Sequence, residues 1–166
     1  MPDQTHACST FFFTALASHR GGAVFLDNIH SLRAAMRSVR ERYPFDIDEI
    51  VVFGDTIHTL WTLPEGQNDC ASRWRMLKRT FSGLVSAQTE APRSGAIWNR
   101  ALWEHRIGDA GDLAMHRHMI WQAPVEAGLV QRPNDWPHSS IHRAIGNGTY
   151  APLPRAARPA EMRVSA

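Results

Sequence analysis

Lysine is nearly missing from this chain: Lys78 is the only one among 18 basic residues, and the rest are arginine. With a formal net charge of only +2, no global field announces a nucleic-acid partner, so a polyanion would have to be met by a local patch. Arginine makes bidentate contacts to phosphate and to guanine; GC-rich codon usage produces the same bias. Cysteine is scarce too. Cys8 and Cys70 are too few for a disulfide framework or a cysteine-based zinc site, which points to a reducing interior. There is no long apolar run: "TFFFTALA" is too short to span a bilayer and lacks a basic region ahead of it. These absences lead us to expect a soluble, cytoplasmic protein with no membrane partner. Tyrosine is the last scarcity, with Tyr43 and Tyr150 the only two.

What is present reads as one domain. At 166 residues and 43% apolar, the chain is long enough to bury a core. "STFFFTALASH" predicts a first strand that stops before Gly21-Gly22. A helix follows, with Asp27 as its N-cap and Ile29, Leu32, Met36, Val39 and Tyr43 on one buried face, until Pro44 ends it. "DIDEIVVFGD" reads as a largely buried strand and Gly54-Asp55 as a turn. In the strand after it, alternation sets Ile57, Trp61 and Leu63 on one face and Thr56, His58 and Thr62 on the other.

A second amphipathic helix, 70 to about 87, turns Trp74, Leu77, Phe81 and Leu84 inward. Its Arg73, Arg75, Lys78 and Arg79, with no acid among them, are the strongest basic patch in the chain, although a basic helix can also be a solvated face. "QTEAPRSG" is a loop, and "AIWNRALWEHRI" is one bulged strand or two short ones. A third helix runs from Gly108-Asp109 to about Ala123, where Pro124 breaks it, with "PVEAGLV" as a further short turn. Trp136 anchors the loop "RPNDWPHSS". Residues 151–166 are poor in large apolar side chains and are expected to form a flexible tail behind a domain of residues 9–150. The order of elements implies an α+β fold: a ferredoxin-like antiparallel sheet covered by helices on one face.

Five blocks, "VVFGDTIHTLWTLPEG", "RWRMLKRTFS", "IWNRALWEHRI", "DLAMHRHMIWQAPVEAGLV" and "RPNDWPHSSIHR", in this order and spacing, resemble the REP-associated tyrosine transposases, the domesticated branch of the single-tyrosine HUH transposases. The resemblance implies a His-hydrophobic-His pair holding magnesium or manganese on a central strand. It also implies a helix tyrosine that attacks a phosphodiester, and a hairpin of single-stranded DNA as partner. A metal clamp neutralises charge on the displaced phosphate, and a phenol needs placement and activation to act as nucleophile.

This chain departs from that pattern. Thr56 stands where the family has its first histidine, so the pair is reduced to His58. In "MIWQAP", Met119 takes the place of the tyrosine, Trp121 that of a histidine and Ala123 that of an amide side chain near the metal. A thioether cannot form a tyrosine-type phosphodiester link, so catalytic impairment is expected, with no cofactor bound tightly. Met115, Met119 and Gln122 form a stripe at helical spacing that is expected to pack on the sheet. His116 and His118 are two apart on a helix and cannot chelate as a strand pair does. Asp55 and Gln122 are the remaining groups that could help His58 hold an ion weakly.

DNA recognition is expected to survive, through Arg73, Arg75, Lys78 and Arg79 with Arg100 and Arg106 as secondary contacts, and with it a nucleoid-associated location. Two rival readings follow from the same residues: metal-dependent nicking by another nucleophile such as water near His58, and a scaffold with neither activity. Related transposases can be dimers, so a homodimer is possible, but no stretch of the sequence identifies an interface.

Overall fold

A computed structural model describes residues 8–90 and 95–150. The expected tail, 151–166, and positions 91–94 of the expected loop lie outside the described residues. The elements run β1 (Ser9–Ala17), α1 (Val24–Asp27), α2 (Ile29–Arg42), β2 (Asp46–Val52), β3 (Thr56–Leu63), α3 (Cys70–Ala87), β4 (Trp98–Arg106), α4 (Ala110–Glu126), a 3-10 turn (Pro133–Asp135) and α5 (Ile141–Gly146). The four strands form one antiparallel sheet in the order β2-β3-β1-β4. This is the α+β, ferredoxin-like arrangement that the sequence implies, with β4 at one edge. "AIWNRALWEHRI" is a single strand whose register slips between Ala15 and Ala17 of β1, as a bulge does.

The sheet is buried on both sides because successive residues of its inner strands are apolar. On one side Phe11, Phe13, Ala15, Ile57, Trp61 and Leu63 meet α2 and α3 in the main core. Trp61 and Trp74 stack with centroids 4.6 Å apart, and Phe13 and Phe45 close on Trp61 at 4.9 and 4.3 Å. Each such ring removed from water contributes roughly 1.5–3 kcal/mol. On the other side Phe12, Val51, Phe53 and Leu60 form a smaller cluster with Ile120 of α4. The third long helix therefore does not join the other two. It takes the opposite face, because Phe12 and Leu60 present an apolar surface there that needs its own cover.

Two helix boundaries also differ from expectation. Asp27 lies inside the short α1, and Asn28 precedes α2 without a side-chain cap. α4 passes through Pro124 and continues to Glu126. Pro124 is buried in the last turn, where losing one N–H donor costs a single helical bond. Trp136 does anchor its loop, through Nε1 donating to the Val52 carbonyl at 3.0 Å.

Candidate functional site

Thr56 and His58 lie two apart on β3 and face α4, with Thr14 of β1 beside His58 in the register. The Thr14 hydroxyl meets His58 Nδ1 at 2.8 Å, while the rings of Phe12 and Phe53 wall the imidazole at 6.0 Å each. Burial lowers the His58 pKa to about 4 and keeps the ring neutral near pH 7.

Thr56 has different company. Gly54 makes the β2–β3 turn approachable: a Cβ there would come within 2.4 Å of the Gly22 carbonyl. The 18–23 loop uses that space, and it brings Arg20 over the strand. Arg20 donates to Thr56 Oγ1 at 3.2 Å and pairs with Asp55 at 3.5 Å, while Thr56 donates to Asp55 Oδ1 at 2.9 Å. Burial alone would raise the Asp55 carboxyl. The Gly21 N–H, the Thr56 hydroxyl and Arg20 together outweigh it and hold the pKa below the ordinary carboxylate value.

These residues do not fit a divalent magnesium or manganese ion. One imidazole faces a hydroxyl, and the neighbouring carboxylate is already neutralised by a guanidinium that would repel a second cation.

α4 presents Met119 to solvent at 44% exposure and Met115 at 61%. The packing role expected for this stripe is therefore wrong. The sheet-facing side of α4 carries His116, Ile120 and Ala123 instead, and Ala123 packs against the Phe12–Leu60 cluster. Trp121 turns toward β2, donating Nε1 to the buried Glu49 carboxylate at 2.9 Å, and Ser140 also donates to that carboxylate. Tyr150 packs edge-on against Trp121 at 5.2 Å, and Tyr43 lies at the end of α2 beneath the guanidinia of Arg42 and Arg73. Neither tyrosine stands beside His58 in any contact of the described residues.

The basic patch divides. Arg73 is 2% exposed, and its guanidinium donates to the carbonyls of Asp69 and Pro44 and to Gln67 Oε1 at 2.8, 3.0 and 2.6 Å. It is a structural side chain clipping α3 to the end of α2, not a surface contact for DNA. Arg75 and Arg79 are exposed. Lys78 lies over the Trp98 ring at 5.7 Å, reaches the Asn99 carbonyl at 3.3 Å, and has its pKa lowered by burial. Arg100 is exposed on β4, and Arg106 donates to Ser9 Oγ at 3.1 Å. α3 sits on the face of the sheet away from His58, so the structure does not bring the patch and the Thr56–His58 positions together.

Sequence reasoning missed Arg20 at Thr56, and it missed Trp103. Trp103 pairs with Thr14 in the register, is 55% exposed, and so extends the Thr14–His58 row toward the β4 edge. Alternation along β4 could have placed it there had the bulge been located.

Over 141 residues the chain is 36% identical to the REP-associated tyrosine transposase of Escherichia coli strain K12, spanning 85% of this chain and 81% of that one. The chain belongs to the REP-associated tyrosine transposase family. The solved structure of a REP-associated tyrosine transposase bound to a REP hairpin matches with TM-score 0.80 and 32% identity, over 95% of this chain and 93% of that chain. A structure from Deinococcus radiodurans shares the fold at TM-score 0.51 and 12% identity, over 68% of this chain and 89% of the other. No family model matches the chain. Among the described residues no helix is long and apolar enough to cross a membrane.

Proposed function

We propose that this member of the transposase family binds hairpin-forming single-stranded DNA without becoming covalently joined to it. The observation that carries the reading is Met119. At the α4 position that the family resemblance gives to the nucleophile, the exposed side chain ends in a thioether. The chain's two tyrosines are packed elsewhere.

Recognition is assigned to surfaces that meet at the edge strand. Lys78 touches Trp98 and Asn99, so α3 passes over the start of β4; Arg75 and Arg79 are exposed on that helix, and Arg100 and Arg106 are exposed on that strand. Phosphates of a hairpin stem pair with these guanidinia. An unpaired strand crossing the edge onto the α4 face would stack a base on Trp103. A phosphate that reached Thr56 would meet the Arg20 guanidinium rather than a divalent ion. A nucleoid-associated location goes with this reading.

Hairpin oligonucleotides with single-stranded flanks test it. The expected result is binding whose affinity falls steeply as salt rises, with no cleavage in magnesium or manganese. Cleavage, with or without an adduct, contradicts it. A complete lack of affinity would favour the scaffold.

A further inference from the structure

A group of side chains that this reading does not use lies on the other flank of Phe12 from His58. The Phe12 ring is 6.0 Å from the His58 ring and 4.8 Å from that of His116. Beyond His116 stand Asp112, one turn earlier on α4, and His105, which pairs with Phe12 from β4. His105 Nε2 is 2.8 Å from Asp112 Oδ2, and His116 Nδ1 is 2.9 Å from Asp112 Oδ1. The two imidazoles stack at 4.8 Å with their planes 19° apart, and one ligand atom from each of the three residues falls within 4.8 Å of the others.

We propose that His105, Asp112 and His116 form a divalent-metal site of the zinc type. The donor chemistry sets the class: two imidazole nitrogens and one carboxylate oxygen suit zinc and its late first-row neighbours, whereas magnesium and calcium require mostly oxygens. The geometry is close to what zinc needs. Ligand atoms around a tetrahedral ion lie roughly 3.3 Å apart, so the two nitrogen–oxygen contacts would open by a few tenths of an ångström while the widest separation, within 4.8 Å, would close toward the same value. On binding, the ring nitrogens that now face Asp112 would turn their lone pairs to the ion and carry their hydrogens on the other ring nitrogen, and His116 Nδ1 would give up its contact with the Asp112 carbonyl, now 2.9 Å away.

The surroundings hold the ligands in place, as supporting contacts do at metal centres. The Gly108 N–H donates to Asp112 Oδ2 at 2.8 Å and Phe12 supports the buried His116 ring. His105 is exposed, which leaves a fourth position open to water or an anion. α4 rests mainly on β2 and β3. An ion at this point would tie its first turns to β4, stiffening the helix that carries Met119.

The site is independent of the DNA-binding proposal and of the Thr56–His58 positions, and its test uses neither DNA nor cleavage. Full-length protein stripped with a chelator is titrated with Zn2+ by calorimetry, and its melting temperature is followed in parallel. One ion per chain is expected, with a rise in melting temperature, no competition from millimolar Mg2+, and affinity reduced by roughly a hundredfold or more in His105→Ala. His105 is a surface residue, so this variant should fold, and circular dichroism checks that it does. Asp112→Asn should weaken the ion as well, and His58→Ala should leave it in place. The proposal is overturned by the absence of saturable binding, by binding that survives His105→Ala, or by binding lost only in His58→Ala. The first of these would mean that Asp112 simply bridges two histidines by hydrogen bonds.

Discussion

The two faces of the sheet were built by different means. Toward α2 and α3 the interior is aromatic and almost free of charged groups, with Trp61, Trp74, Phe13 and Phe25 fully enclosed and Arg73 a buried exception. Toward α4 the apolar cluster is small, and polar groups fill in around it: Thr14 with His58, Thr56 with Arg20 and Asp55, Glu49 with Trp121 and Ser140. The first face supplies stability. The second carries Thr56, Met119, Trp121 and Ala123, the positions that the sequence resemblance sets apart from the family's pattern.

The largest effect of a single substitution should come from the aromatic face. Trp61→Ala, at a fully buried ring, should cost about 3–5 kcal/mol in urea unfolding, enough to endanger the fold. Ile120→Ala on the α4 face should cost about 2–4 kcal/mol, since its cluster is smaller and has more room to collapse. Equal costs would mean that the two faces contribute alike.

Next comes pH. The folded His58 pKa of about 4 lies below its ordinary 6.5, so as the solution is acidified the unfolded chain takes up the proton first. The stability from this group is complete above pH 6.5 and is lost as pH falls toward 4, on the order of 3 kcal/mol if nothing relaxes. Urea melts across that range should show the loss, and a Gln at position 58 should remove this part of the pH dependence.

Smaller effects separate the DNA-facing surfaces. Trp103→Ala should weaken single-strand binding by about 1–3 kcal/mol with little change in its salt dependence. Arg75→Ala with Arg79→Ala should instead flatten the salt dependence by roughly one counterion per charge removed, while stability changes by less than about 0.5 kcal/mol. Arg73→Ala should do the reverse, destabilising the protein without altering the salt slope.

Much of the first face was legible in the sequence, because period and alternation report which residues turn inward. Leu32, Met36 and Val39, Trp74, Leu77 and Phe81, and the split of Ile57 from His58 all follow from local spacing. The second face was not, since its contacts join residues far apart in the chain. Thr14 reaches His58 across 44 positions and Trp121 reaches Glu49 across 72. Periodicity is silent about such pairs. Arg73 shows the same limit: its charge marked it for the surface, yet three acceptors contributed by Asp69, Pro44 and Gln67 make a buried guanidinium tolerable. Met119 erred the other way. Its helical stripe promised burial, but His116, Ile120 and Ala123 already cover the sheet.

The same contrast qualifies any attempt at repair. Thr56→His, Met119→Tyr and Ala123→Asn together would leave Arg20 beside the rebuilt pair and set an amide against the Phe12–Leu60 cluster. Nicking should therefore return only when Arg20→Ala is added, and more weakly than the chemistry alone would allow.

The proposed function has this chain hold DNA without bonding to it. It is tested most directly by incubating the protein with end-labelled hairpin DNA in magnesium and in manganese, then separating the products under denaturing conditions. All label is expected to run as free, uncut DNA, although the same mixture shows a complex under native conditions. A labelled band at the mass of the protein, resistant to denaturant and mapping to a tyrosine, would contradict it.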